Sequence, residues 1–297
     1  MEIAKLGLNG RLGRILKNSP KAKKSLIFQS LLNGEDISLD VCSFEEVLPY
    51  SLLSIPISTI TAHDNIWIAA SMLSRISDVT NNLVVIEDGF PIGTIDVQQI
   101  ISGLQKNPTT QYFEESASKI MNADFHIDSR NVNIASVLNR MSKTNNHFTV
   151  IENDRKNFSQ FSIRQVIEIG SLCRSDITAA SMPKNKISTF NRDDTVGDII
   201  RKLEQDENRF LALKDDVSFV SYEVLLDRIK ELNGCNNDRL LELSASTFKT
   251  ITPTLISEKL TLAEICKVML NLKYPYVMTQ EQIITPYSIL DVICKEI

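Results

Sequence analysis

The feature of this sequence that most constrains its fold is a segment that recurs four times. Each copy has a short apolar strand, a polar turn, an amphipathic helix, two more strands and a second helix. The first helices begin at apolar residues that are separated by 66, 64 and 66 residues along the chain, namely Ile66, Val132, Val196 and Leu262. Self-similarity at a fixed period is the signature of a repeat architecture. The sequence therefore predicts four copies of one β-α-β-β-α unit.

The hydrophobic pattern places the elements of each repeat. Short apolar runs predict the strands, and apolar residues at i, i+3, i+4 and i+7 predict helices with one buried face. The first strands are predicted at residues 57–60, 125–127, 187–190 and 254–256. The first helices are predicted at 66–73, 132–141, 196–203 and 262–270, and the second helices at positions starting with Val97, Ile163, Tyr222 and Pro286. The predicted fold class is α/β.

Spacing within the repeats groups them into pairs. The distance from the first helix to the end of the third strand is 30 residues in repeats 1 and 2, but 25 and 23 in repeats 3 and 4. One unit of roughly 55 residues is too small to bury both faces, so we expect units to dock in pairs. The expected boundaries are 46–172 for one pair, with repeats at about 50–107 and 115–172, and 173–297 for the other, with repeats at about 178–233 and 245–297. A helical extension is expected over residues 1–45.

Composition and charge narrow the class of protein. Of the 297 residues, 43% are apolar and 23% are charged, which is typical of a soluble globular protein. No apolar run approaches the roughly 18 residues that span a bilayer. The five cysteines are scattered without a C-x-x-C pair, so we expect a cytoplasmic protein with reduced thiols and no membrane contact.

The charge is distributed unevenly along the chain. Residues 1–34 carry seven basic groups and one acidic group, while the rest of the chain has a net charge of −11. Such a basic arm is typical of contact with nucleic acid or an acidic partner, and equally of a solvated arm on an acidic body. Charge alone does not separate these interpretations.

Residue patterns that carry catalysis are missing. The three histidines, His63, His126 and His147, form no H-E-x-x-H pattern, and none is spaced with a cysteine as zinc ligands are. The sequence contains neither a G-x-S-x-G nucleophile elbow nor a G-x-x-x-x-G-K-[ST] phosphate loop. We therefore predict a protein that is not an enzyme and requires no metal or cofactor.

The repeat resembles the cystathionine-β-synthase (CBS) domain. The resemblance rests on the β-α-β-β-α order and on the third-strand pattern [LIV]-G-x-[IV], which repeat 1 carries as Ile92-Gly93-Thr94-Ile95. It covers residues from about 50 to 297, and the four-repeat count is that of the γ subunit of the AMP-activated protein kinase and of stand-alone prokaryotic CBS proteins. The resemblance implies two Bateman modules, the name for paired CBS repeats. It also implies a regulatory protein that senses AMP, ADP, ATP or S-adenosylmethionine in clefts between repeats.

The resemblance also implies candidate ligand contacts. In CBS domains the third strand typically ends in [ST]-x-x-[DE], whose hydroxyl and carboxylate can bond phosphate and ribose. The segments at this place are Asp96-Val-Gln-Gln99, Ser162-Ile-Arg-Gln165, Ser221-Tyr-Glu-Val224 and Thr285-Pro-Tyr-Ser288. Three keep the hydroxyl, and none keeps the carboxylate in the last position. The candidates are therefore Ser162, Ser221, Thr285, the amides of Gln99 and Gln165, the cation Arg164, and Asp96, which would repel a phosphate.

A structural interpretation competes with ligand contact at these positions. Ser162 and Thr285 stand immediately before predicted helices, where a hydroxyl caps the helix and a proline such as Pro286 favours the first turn. Three further candidates, Thr59, His126 and Thr189, lie at first strands, where the family often places a polar residue facing the cleft.

Three functions remain open at this stage. The first is a regulatory sensor of an adenosine-type ligand. The second is a CBS scaffold that has lost nucleotide binding and acts through a homodimer or a protein partner. The third is nucleic-acid binding through residues 1–34, which predicts strongly salt-dependent association.

Overall fold

The structure is a computed structural model with all side chains. It describes residues 42–47, 55–77, 80–144, 146–153, 157–173, 175–184, 187–206, 209–214, 216–231, 239–247 and 249–296. The basic arm and residues 1–41 of the predicted helical extension lie outside the described residues. Among the described residues, no helix is both long and apolar enough to cross a bilayer.

The described residues form twelve strands and nine α-helices. The strands are β1 (Thr59–Thr61), β2 (Asn82–Glu87), β3 (Phe90–Asp96), β4 (Ile127–Ser129), β5 (Phe148–Glu152), β6 (Phe158–Ser162), β7 (Thr189–Phe190), β8 (Phe210–Leu213), β9 (Phe219–Ser221), β10 (Thr254–Leu255), β11 (Val277–Met278) and β12 (Ile283–Ile284). The helices are α1 (Phe44–Val47), α2 (Ile66–Ile76), α3 (Val97–Lys106), α4 (Ile134–Thr144), α5 (Ile163–Gly170), α6 (Val196–Gln205), α7 (Tyr222–Glu231), α8 (Leu262–Met269) and α9 (Pro286–Glu296). The predicted order of elements is confirmed in all four repeats.

Each repeat builds its own three-stranded sheet. The strand orders are β1-β2-β3, β4-β5-β6, β7-β8-β9 and β10-β11-β12. In repeats 1 to 3 the first strand is parallel to the second, with Thr59 opposite Val84, and the second is antiparallel to the third. A parallel pair requires a crossover, and the first helix of each repeat supplies it. The predicted α/β class is therefore confirmed.

The first strand and first helix of repeat 2 begin later than predicted. The prediction for the strand was 125–127 and the helix was expected from Val132, whereas the structure has β4 at Ile127–Ser129 and α4 from Ile134. The reason is that the backbone around Val132 pairs with another segment: the Phe44 N–H donates to the Val132 carbonyl at 3.1 Å, and the Ile134 N–H donates to the Cys42 carbonyl at 2.9 Å. A helix that began at Val132 would need the Val132 carbonyl for a bond within the helix, whereas here that carbonyl accepts from Phe44.

Segments that precede the repeats form a recurring element of their own. Each such leader segment pairs with the turn before the first helix of a different repeat, through the bridges Ser43↔Asn133, Asn65↔Ser116, Thr178↔Thr261 and Thr195↔Ser244. The leader of repeat 1 thus lies on repeat 2, and the leader of repeat 2 lies on repeat 1. The same exchange relates repeats 3 and 4. Each leader also buries apolar side chains, among them Phe44, Ala117, Ala179 and Ala245.

The chain divides into two compact units. The 1/3 unit contains residues 58–125 and 184–255, which are repeats 1 and 3, and the 2/4 unit contains the described residues up to Ile57 with 126–183 and 256–297. In the 1/3 unit, α3 packs against α6 and α7, and α7 also packs against α2. In the 2/4 unit, α5 packs against α8 and α9, and α9 also packs against α4. The division into modules at 46–172 and 173–297 stays a prediction.

Helix α6 begins with a capping box whose contribution to stability should depend on pH. The Thr195 backbone N–H and hydroxyl donate to the Asp198 carboxylate at 3.0 and 2.8 Å, and the Asp198 N–H donates to Thr195 Oγ1 at 3.1 Å. These donors from Thr195 hold the pKa of Asp198 below its usual value. A lowered pKa contributes stability above the usual pKa, and this is lost as the pH falls through the lowered one.

We therefore expect Thr195→Ala to lower the free energy of unfolding by about 1 kcal/mol at pH 7. The loss should be smaller at pH 3, which lies below the usual pKa of an aspartate, because part of the stabilisation by the ionised carboxylate is lost there. Urea unfolding at the two pH values measures this, with Thr195→Ser as the control that keeps the hydroxyl. An equal loss at both pH values would contradict the prediction.

Candidate functional site

The four segments singled out by sequence all lie where a third strand ends and a second helix begins. In repeat 1, Asp96 caps α3: its Oδ1 accepts from the Gln99 N–H at 2.7 Å, and Gln99 Oε1 accepts from the Asp96 N–H at 2.7 Å. The Gln99 amide also donates to the Ile120 carbonyl at 3.1 Å. This reciprocal pair is a capping box, so both polar ends of Gln99 are used within repeat 1 and the segment that follows it.

The segment of repeat 2 forms a similar but buried cap. The Ser162 hydroxyl and N–H donate to Gln165 Oε1 at 2.6 and 2.8 Å. Both residues are only 1% exposed. The Arg164 guanidinium donates from Nη2 to the Leu270 carbonyl of repeat 4 at 2.5 Å. The predicted cap at Ser162 is therefore present, and Arg164 joins repeats 2 and 4.

The segments of repeats 3 and 4 are also buried caps. The Ser221 hydroxyl donates to Glu223 Oε2 at 2.7 Å and lies near the Val224 N–H at 3.4 Å. In repeat 4, Thr285 Oγ1 lies 3.0 Å from Ser288 Oγ and accepts from the Ser288 N–H at 3.1 Å. Ser221 and Thr285 are both 0% exposed. Helix capping is thus a shown role of these hydroxyls, and their contact with a ligand stays a prediction.

The candidates on the first strands differ in exposure. Thr59 and Thr189 are exposed, and His126 is half-buried just before β4. The His126 carbonyl accepts from the Val150 N–H at 3.0 Å and from Thr149 Oγ1 at 3.1 Å. The two threonines are therefore the fully exposed members of the predicted set, and the shown contacts of His126 are made by its backbone.

The units divide the predicted residues into two groups. Asp96, Gln99, Ser221, Thr59 and Thr189 belong to the 1/3 unit, and Ser162, Arg164, Gln165, Thr285 and His126 belong to the 2/4 unit. Among the described residues, no group of three or more His, Cys, Asp or Glu side chains is placed to hold a metal ion.

One charged cluster was missed because its members come from different repeats. Arg209 Nη1 lies 3.9 Å from Asp96 Oδ2, and Glu223 lies close enough to both for their charges to interact. Burial raises the pKa of Asp96, and the Arg209 charge opposes that shift. Burial likewise raises the pKa of Glu223, against the hydrogen bond from Ser221. The family motif [ST]-x-x-[DE] has its carboxylate at the fourth position. Glu223 is at the third position of the repeat 3 segment, so the motif did not identify it.

Two solved structures that align with most of this chain support the fold. A structure from Methanocaldococcus jannaschii, described as a proposed archaeal homologue of γ-AMPK, aligns over 81% of this chain and 97% of its own with 14% identity and a TM-score of 0.68. An uncharacterised conserved protein from Pyrococcus horikoshii aligns over 80% of this chain and 95% of its own with 11% identity and a TM-score of 0.50. A CBS domain protein from Pyrobaculum aerophilum, solved with AMP, aligns over 39% of this chain and 86% of its own with 16% identity and a TM-score of 0.36.

Sequence-based comparison adds nothing to this. The sequence matches no protein-family model, and the search of curated proteins finds no significant match. The fold is therefore recognised from the repeat and from structure, not from overall identity. With four β-α-β-β-α repeats in the order that the sequence predicts, the chain has the fold of the four-repeat CBS-domain proteins.

Proposed function

We propose that this chain is a non-catalytic regulatory protein of the cytoplasm that binds an adenosine-type ligand, AMP, ADP, ATP or S-adenosylmethionine, in clefts between repeats. Binding changes its affinity for a protein partner or for a second copy of the chain. A ligand does this only by binding one arrangement of the repeats more tightly than another. No cofactor is required for this function.

The observation that carries the proposal is the four-repeat fold itself. The chain matches 97% of the length of the Methanocaldococcus jannaschii protein that is described as a homologue of γ-AMPK, a regulatory subunit. The motif of repeat 2 supports it further, because Ser162 and Gln165 keep the geometry of a hydroxyl paired with the side chain three residues on. Arg164 adds a cation beside that pair.

A specific observation favours the scaffold as the second candidate. Ser162, Gln165, Ser221 and Thr285 are each at most 1% exposed, and each bonds within its own cap. A ligand that used these side chains would have to replace those bonds. A scaffold acting through a homodimer or a partner protein needs none of them.

Thermal unfolding with AMP, ADP, ATP or S-adenosylmethionine at millimolar concentration separates the two candidates. A ligand at ~100 times its dissociation constant adds about 2.7 kcal/mol, which is a rise of several degrees in Tm. We expect such a rise with at least one of the four ligands. A flat response to all four would overturn the sensor proposal and favour the scaffold.

A gain-of-function variant sharpens the test. Gln165→Glu restores the carboxylate of the family motif in repeat 2, and a glutamate three residues after Ser162 keeps the capping box. A carboxylate accepts stronger, charge-assisted hydrogen bonds from ribose hydroxyls than an amide does. We expect a larger ligand-induced rise in Tm for Gln165→Glu than for the natural chain. The matched Gln99→Glu, where the new carboxylate faces Asp96, should give the same rise as the natural chain. Equal rises in all three proteins would remove repeat 2 as the site.

A further inference from the structure

Three charged side chains from repeats 1 and 3 converge within the 1/3 unit. Asp96 ends β3, Arg209 immediately precedes β8, and Glu223 is the second residue of α7. The Arg209 and Asp96 side chains are only 15% and 24% exposed, and their closest polar atoms are 3.9 Å apart. Charges that are partly withdrawn from water interact more strongly than exposed ones.

Hydrogen bonds hold each carboxylate in place. Glu223 Oε2 accepts from the Ser221 hydroxyl at 2.7 Å, and its Oε1 accepts from the Asn81 amide of repeat 1 at 3.3 Å. Asp96 Oδ1 accepts from the Gln99 N–H at 2.7 Å. Glu223 therefore touches both repeats, and its position does not depend on Arg209 alone.

The face of α7 that begins with Glu223 continues to contact repeat 1. Asp227 accepts from the Ser74 hydroxyl at 2.5 Å, and Lys230 lies 5.9 Å from the centre of the Trp67 ring. These residues follow Glu223 at i+4 and i+7, which is one helix face. The cluster is thus one end of a continuous polar seam between repeats 1 and 3.

Among the residues that the structure describes, this cluster of Asp96, Arg209 and Glu223 has one positive charge for two negative ones. Arg209 holds a left-handed backbone conformation with φ of 58°, which is uncommon for a residue with a side chain and persists only where its surroundings impose it. On α6, Arg201 pairs with Asp198 and Lys202 with Asp194, and on α7, Arg228 pairs with Glu231. Of the other acids nearby in the chain, Glu204 on α6 is exposed and Asp206, which follows α6, is buried. The remaining cations of α2 and α3, Arg75 and Lys106, lie in the last turns of those helices.

The 2/4 unit has a similar polar contact between helices but lacks the counterparts of Asp96 and Glu223. The Ser142 hydroxyl of α4 donates to Asp291 of α9 at 2.8 Å, which matches the Ser74–Asp227 bond. Where repeat 1 has Asp96 the cap of repeat 2 is Ser162, and where α7 has Glu223 the second residue of α9 is Tyr287. The excess negative charge is therefore a property of the 1/3 unit and not of the repeat in general.

We propose that Asp96, Arg209 and Glu223 form a proton-dependent tie between repeats 1 and 3, which is strongest when one of the two carboxylates is protonated and loosens when both ionise. The single guanidinium then neutralises the one remaining carboxylate. With both ionised, the cluster keeps a net negative charge that is partly withdrawn from water.

The titration of the two acids supports this direction. Burial raises the pKa of both carboxyls, and the charge of Asp96 raises the pKa of Glu223 further. A raised acid contributes stability below its ordinary pKa, and that stability is lost as the pH rises through the raised value. The tie therefore weakens as the pH rises from the ordinary pKa values of the two acids through their raised values.

Thermal unfolding of the full chain at pH 5 and pH 8 tests the tie. Glu223→Gln keeps the shape and removes one negative charge, so we expect its Tm to exceed that of the natural chain at pH 8, and the difference to shrink or reverse at pH 5. Glu204→Gln, an exposed position on α6, is the matched control and should show no such dependence on pH. A Tm difference for Glu223→Gln that is equal at both pH values, or a loss at pH 8, would overturn the proposal.

A second variant tests the proposal by removing the cation instead of a carboxylate. Arg209→Gln leaves both carboxylates without the cation, so it should lower Tm more at pH 8 than at pH 5. Combining it with Glu223→Gln should restore part of that loss at pH 8. If Glu223→Gln changes Tm at pH 8 by the same number of degrees with Arg209 present and with Arg209→Gln, the two side chains do not interact and the tie is refuted.

Discussion

Phe44→Ala is expected to lower the free energy of unfolding of the 2/4 unit by about 3–5 kcal/mol, the usual cost of removing a fully buried phenylalanine. Phe44 is 0% exposed, and its ring centre lies 4.7 Å from that of Phe161 on β6. It precedes repeat 1 in the chain but packs on repeat 2, so its loss tests the exchange of leader segments. Urea unfolding followed by circular dichroism measures it.

The control for this substitution is Phe90→Ala. Phe90 is 44% exposed on β3, so its removal leaves no closed cavity and should cost much less. If Phe44→Ala also costs under about 1 kcal/mol, the leader does not contribute to the core of repeat 2.

Gly170→Ala is expected to destabilise the 2/4 unit although alanine is the better helix former. A Cβ at Gly170 would lie 2.7 Å from the Cys266 Sγ and 3.3 Å from methyl carbons of Ile289 and Ile293. Cys266 is 0% exposed, so the sulfur has no free space to move into. Overpacking of this kind costs about 1–3 kcal/mol, which outweighs the gain of up to about 1 kcal/mol from helix propensity.

A double-mutant cycle attributes this loss to the contact. Cys266→Ala removes the sulfur, so Gly170→Ala should cost about 1 kcal/mol less in that background, since residues in contact couple by amounts of this size. Urea unfolding of the four proteins gives the coupling. If the losses from Gly170→Ala and Cys266→Ala are additive, the cost of the new methyl group does not come from its contact with Cys266. That result would contradict the packing described for α5 and α8.

The recurring hydrophobic pattern predicted the repeats, because apolar residues at helix spacing mark the side chains that each helix buries. The spacing of Ile66, Val132, Val196 and Leu262 located the first helices to within two residues, since each of these helices presents an apolar stripe to a sheet. The second helices begin at the predicted residues, because a capping side chain precedes each of them and Pro286 also favours the first turn of the fourth. Short-range patterns of this kind depend on neighbouring residues only.

The leader segments escaped prediction for the opposite reason. Residues 107–116 and 172–185 are rich in polar residues, and the few apolar side chains buried in and beside them, such as Tyr112, Phe113 and Met182, follow neither a helix nor a strand period. The partners of the leader segments lie in other repeats. The recurrence of Ser or Thr followed by Ala at Ser116, Thr178 and Ser244 was the available signal.

The candidate site was predictable in part. The motif placed Ser162 and Thr285 correctly at helix starts, because capping depends on local geometry. It did not reveal that Asp96 lies close to Arg209, because the two residues are far apart in the chain and single charged residues form no repeating pattern. The same holds for the contact of Arg164 with the Leu270 carbonyl.

Isothermal titration of the full chain with AMP, ADP, ATP and S-adenosylmethionine tests most directly whether this CBS-fold protein is a sensor. The proposal predicts saturable binding of at least one of them, at one or two sites per chain, and tighter binding by Gln165→Glu. No binding heat from any of the four at millimolar concentration, with a protein that is folded by circular dichroism and gives no thermal shift with them, would contradict it.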